Sequence, residues 1–177
     1  MDREPAGALQ RDAKEPVLTI IESLVAIRPG SALADAMEKR AEILRLSEAA
    51  HDAVLLPRDP GGLSHGLRAA LAARMARQNG NEALAGHYDG LVERAAESAT
   101  APLAQPGTSV DDGRIAEIVR HADRLTLAPR EATRGHIEAL RGAGVTDADI
   151  VRLSELAAFV NYQVRVIAGL ALIGARQ

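Results

Sequence analysis

The chain has 177 residues, 21 basic and 24 acidic side chains and a formal net charge of −3. The charges are interspersed, so a nucleic-acid surface, which needs a basic patch and often stacking aromatics, is not expected. Cysteine is absent, which excludes a disulfide framework and any Cys-ligated metal in this chain. Phe159, Tyr88 and Tyr162 are the three aromatics, so the core must be built from Leu, Ile, Val and Ala, and the length suits one domain. Met1–Pro5 is polar with no signal-peptide core behind it. No membrane partner is expected, since the sequence reads as having no apolar run long enough to span a bilayer. A cytoplasmic protein is the expectation.

Residues 1–15 lack a sustained apolar face and read as a flexible N-terminal arm, leaving 16–177 as a single helical domain. Val17, Leu18, Ile21, Leu24 and Val25 recur at helical spacing behind Pro16, and Arg28-Pro29-Gly30 ends that helix. Ser31 reads as the N-cap of a second helix reaching about Leu55. The loop LPRDPGG follows, and Ser64 caps a third helix to about Gln78. Asn79-Gly80-Asn81 breaks the chain before a fourth helix. The stretch 99–110, with Pro102, Pro106 and Gly107, reads as an internal linker. Asp111 and Asp112 open a fifth helix where the helix dipole favours negative charge. Pro129 opens a sixth, closed by Gly142-Ala143-Gly144. Thr146 caps a seventh with Asp149 in the capping-box position. That last helix is predicted to reach about Ala175, with apolar residues on more than one stripe, which suits burial or a subunit interface. With no period-two β-branched runs, the fold class is all-α, about seven helices with a long C-terminal one.

Two segments carry a family likeness. The first, LSHGLRAALAARMARQNGNEALAGHY (63–88), places a helix, an Asn-Gly break and a second helix ending in His87 and Tyr88. The second runs from Arg114 to Gly169 and includes HADRLT, PREAT, LRGAGVTD and AFVNYQVRV. Together they resemble the carboxymuconolactone decarboxylase and alkyl hydroperoxidase D superfamily, especially its peroxidase-related group. Peroxidase members of that family carry Glu, eleven residues, then Cys-x-x-Cys-x-x-x-His. With His87 on the family histidine, the cysteines fall on Gly80 and Ala83 and the glutamate on Arg68. The resemblance implies a helical bundle that assembles as a homo-oligomer (dimer, trimer or hexamer). It also implies a thiol peroxidase mechanism that this chain lacks the thiolates to run.

The decarboxylase branch supplies the other precedent, acid/base action on a lactone or small carboxylate without thiols. Under that reading His87 is the catalytic candidate, since histidine moves protons near neutral pH. Arg68 is the candidate clamp for a substrate carboxylate, and Tyr88 either lines the pocket or belongs to the core. The alternative is a non-catalytic subunit pairing with a cysteine-bearing AhpD-like paralogue. Asn161 and Arg165, four apart on the last helix, suit a structural or interface role. Arg74 and Arg77 read as a solvated helix face. His51, His65, His121 and His136 lie on four helices or their edges, and no two histidines are spaced i, i+4, so neither metal nor cofactor is expected. Spacing alone does not decide whether folding brings His51 to His87.

Overall fold

The computed structural model describes residues 18–176; the expected N-terminal arm lies outside them. Among the described residues there are eight α-helices, two 3-10 turns and no strand. The helices are α1 (Ile20–Leu24), α2 (Ala32–Glu38), α3 (Ala41–Leu55), α4 (His65–Gln78), α5 (Glu82–Ala95), α6 (Gly113–Leu127), α7 (Arg134–Gly142) and α8 (Asp147–Gly174). The all-α expectation, with its long C-terminal helix, is borne out.

Side-chain caps set several boundaries. Ser31 accepts from Ala34 N, Ser64 from Leu67 N and Thr146 from Asp149 N. The first helix is shorter than its apolar pattern suggested, because Thr19 and Glu22 close a capping box inside the run. The second predicted helix is two, α2 and α3, broken at Lys39 and Arg40. Gly80 takes φ +72° in the α4–α5 turn, where an L side chain is strained.

The molecule is organised around α4, whose residues Gly66 to Ala76 are all buried. Six of the eleven are alanine or glycine. Such small side chains let α3, α5, α6, α8 and the 3-10 turn Ala101–Ala104 close around one helix. The segment read as a linker is thus seated on α4, with Leu103 and Ala104 buried. At the start of α4, Glu97 accepts from Ser64 Oγ and from Gly66 N at 3.1 Å, placing a carboxylate at the positive end of the helix. Gly66 makes room for it, since a Cβ there would lie 2.7 Å from the Glu97 side chain.

By length and composition α8 is apolar enough to cross a membrane, a correction to the sequence reading. In this fold it packs against α1, α2, α3, α4, α6 and α7. Burial runs from Asp149 to Ile167, and beyond it Leu172 and Ile173 are exposed.

Candidate functional site

Folding brings His87 of α5 to His51 of α3, with the two Nε2 atoms 3.2 Å apart. The ring centroids are 5.2 Å apart and the planes tilted by 59°. His51 is 3% exposed. It lies stacked opposite the Tyr88 ring at 6.2 Å and edge-on to Phe159 at 6.2 Å. Its Nδ1 is 3.2 Å from Asp52 Oδ1.

A carboxylate accepts, so His51 Nδ1 carries the hydrogen and its Nε2 presents a lone pair. His87 must then donate through its own Nε2, leaving Nδ1 as the acceptor. Among the described residues no hydrogen bond reaches that Nδ1. Burial, then His51 and Arg94, lower the His87 pKa from 6.5 to about 4. His87 is therefore neutral at neutral pH, and a hydrogen-bonded chain runs from Asp52 through His51 to this half-buried ring. Nothing in the sequence spacing pointed to His51, which lies 36 residues away on a different helix.

Tyr88 is fully buried, and its hydroxyl donates to Gln163 Oε1 at 2.5 Å. Burial pushes its phenol pKa up, so it stays a neutral donor and supports the floor beneath His51. A little further along the α3–α8 seam, Ser47 Oγ and Tyr162 OH are 2.9 Å apart.

Arg68 does other work than the ligand clamp the sequence suggested. It is 2% exposed. Its Nε donates to Leu63 O, Nη1 to Val54 O and Nη2 to Pro60 O, each at 2.9 Å. The guanidinium closes the 54–63 loop from inside. Burial, and then Arg152, lower its pKa from the ordinary arginine value, yet an arginine stays charged at any physiological pH. The same loop is also held by Asp149. Its Oδ1 accepts from Gly62 N at 3.0 Å and from Arg152 at 2.9 Å, and its Oδ2 from Thr146 Oγ1 at 2.9 Å. Burial pushes the Asp149 carboxyl up, but these hydrogen bonds outweigh it and hold its pKa below the usual value.

Arg74 and Arg77 are likewise not a solvated face. Arg74 is buried against Asp123 of α6 and Gln105 O, and Arg77 pairs with Asp89 and donates to Ala104 O. Asn161 is buried, with Nδ2 on Ala157 O at 2.9 Å and Oδ1 accepting from Asn79 at 3.2 Å; Arg165 donates to Asn161 O at 2.8 Å. These two residues border a groove of about 400 Å³ with Leu125, Pro129, Ala157 and Ala158, away from the histidine pair. Gly80 and Ala83, the positions laid on the family's cysteines, are exposed.

No family model matches the chain, and no curated protein matches it. Among solved structures, the fold is similar to that of an uncharacterized peroxidase-related protein from Silicibacter sp. TM1040. The TM-score is 0.64 at 19% identity, covering 84% of this chain and 89% of that one. At this identity the likeness establishes the fold. The two chains share an all-helical fold, and this one carries no cysteine.

Proposed function

We propose that the chain is an AhpD-like protein without thiol chemistry, and that the His51–His87 pair handles a proton for a small carboxylate or lactone. The carrying observation is the 3.2 Å Nε2–Nε2 approach backed by Asp52. The sequence resemblance and the fold similarity to a peroxidase-related protein support the family reading. Arg68 is occupied by backbone carbonyls, so the cation that draws an anion to His87 is Arg94. It lies seven residues along α5 and contributes to the depressed His87 pKa. A bound carboxylate offsets that repulsion, raises the His87 pKa again and recruits a proton to the ring.

The test is a thermal-shift screen of lactones, keto acids and aromatic carboxylates in chelator-containing buffer, on wild type and His87→Ala. A ligand at a hundredfold its dissociation constant adds about 2.7 kcal/mol, which for a chain of this size is a midpoint rise of roughly 5–10 °C. The expected result is a rise lost in His87→Ala, with proton uptake seen by calorimetry in buffers of different ionisation enthalpy. A rise that survives in His87→Ala overturns the assignment.

A second reading is a non-catalytic subunit or partner of a cysteine-bearing AhpD-like paralogue, for which the exposed Leu172 and Ile173 at the end of α8 offer an interface. Co-purification of such a paralogue with wild type and with a Leu172→Glu, Ile173→Glu variant tests it: a complex lost in the variant supports the reading, and no complex with wild type removes it.

A further inference from the structure

Two imidazole nitrogens aimed at each other 3.2 Å apart suit a shared proton, and they equally suit a shared cation. Two histidines on one tetrahedral zinc, with Zn–N of about 2.0–2.1 Å, hold their nitrogens about 3.3 Å apart and their ring centroids about 5.2 Å apart. The pair shows 3.2 Å and 5.2 Å. A straight N–H···N bond of the same length would set the centroids about 5.5 Å apart, so the pair is bent away from a linear hydrogen bond, and its two separations match those of two imidazoles on one ion.

The surroundings of His51 suit a ligating imidazole. Asp52 stands behind His51 and fixes the tautomer that leaves Nε2 free, the role carboxylates play behind ligating histidines. Burial between Tyr88 and Phe159 holds the His51 ring in place. His87 can move its hydrogen to Nδ1 and present a lone pair through Nε2, giving up only its hydrogen bond to His51, which the ion replaces. Among the described residues no cluster of three or more His, Cys, Asp or Glu forms a metal cage, so water or an exogenous ligand fills the other positions. Two nitrogen donors favour borderline ions over magnesium or calcium.

We propose that His51 and His87 chelate one divalent transition ion of the zinc, copper(II) or nickel(II) class through their Nε2 atoms, leaving open coordination positions. The inference shares its residues with the proton-handling reading but does not rest on it, because metal binding is measured with no organic ligand present.

The experiment is calorimetric titration of chelator-stripped full chain with Zn(II), alongside Cu(II) titration followed by electron paramagnetic resonance. The expected result is one equivalent bound, with nitrogen hyperfine structure from two imidazoles on copper. Binding weakens by more than about tenfold in His87→Ala and by about tenfold in Asp52→Asn, while His121→Ala and His136→Ala bind as wild type. His87 is only half-buried, so His87→Ala serves as the deciding variant should His51→Ala fail to fold. Absence of binding by the wild type, or binding unchanged in His87→Ala, overturns the proposal. Loss of the organic-ligand shift in chelator with metal binding intact would reject the proton-handling reading alone.

Discussion

The guanidinium of Arg74 meets the carboxylate of Asp123 as a two-pronged pair, Nε to Oδ1 at 2.6 Å and Nη2 to Oδ2 at 2.8 Å, across the contact between α4 and α6. Arg74 is 4% exposed, and Asp123 also accepts from Gln78 Nε2 at 2.6 Å. Removing the carboxylate strands a buried charge. Asp123→Ala is expected to lower stability by about 3 kcal/mol, read as a fall in the urea midpoint at unchanged slope. The double change Arg74→Met, Asp123→Leu should recover a large part of it, since a buried pair replaced by apolar residues is often near neutral.

Arg68 makes a sharper demand on side-chain shape. Three carbonyls, from Val54, Pro60 and Leu63, converge on its planar head. Lysine offers one nitrogen on a flexible stem and cannot reach all three. Arg68→Lys should cost about 2 kcal/mol. It should also speed amide exchange and proteolytic cutting specifically within 56–62, with α6 and α7 unaffected.

His87 gives the protein an acid-sensitive term whose sign follows from its pKa. Burial, then His51 and Arg94, hold the folded-state value near 4, below the ordinary 6.5. Between those values the unfolded chain binds a proton that the folded chain refuses. The contribution is therefore complete above about pH 6.5 and is lost as the pH falls through 4. Stability against pH should fall less steeply in His87→Gln than in wild type over that interval. The His87 ring resonances should titrate well below those of an exposed histidine.

Tyr88→Phe removes a hydroxyl and leaves Gln163 Oε1 buried without its donor. The expected loss is about 1–3 kcal/mol. The His51 ring resonances should shift as well, because His51 lies opposite the Tyr88 ring.

Installing at Gly80 and Ala83 the cysteine pair of the resembled family should strain the backbone. Gly80 has φ +72°, and a side chain in that region costs about 1–2 kcal/mol. The variant Gly80→Cys, Ala83→Cys is expected to melt lower than Ala83→Cys alone by that amount.

The helices were legible where local chemistry decides them. Ser31, Ser64 and Thr146 announce helix starts with side chains that accept from the third residue on. Asn79-Gly80-Asn81 marks a turn because glycine takes a positive φ there and Asn81 caps the next helix through Leu84 N. The break at Lys39 and Arg40 was not legible, since the apolar spacing of Leu33, Met37 and Leu44 runs on as one helix would. The roles of Arg68, Arg74 and Arg77 were hidden for a different reason. An arginine on a helix reads as solvated unless the whole helix is interior, and α4 is interior on every side. Its signal was present in the alanines flanking each arginine, which leave no broad polar face. The His51–His87 pair had no local signal, because it exists only once α3 and α5 are both packed on α4.

The loops beside α4 are fastened by arginine nitrogens on peptide oxygens: Arg68 on Val54, Pro60 and Leu63, Arg74 on Gln105, and Arg77 on Ala104. Neither partner in such a contact gains or loses a proton between mild acid and mild alkali. The irregular backbone on both flanks of the molecule is thus indifferent to acidity at these fastenings, while His87 responds to it. These five arginine fastenings therefore keep their charge state while acid protonates His87.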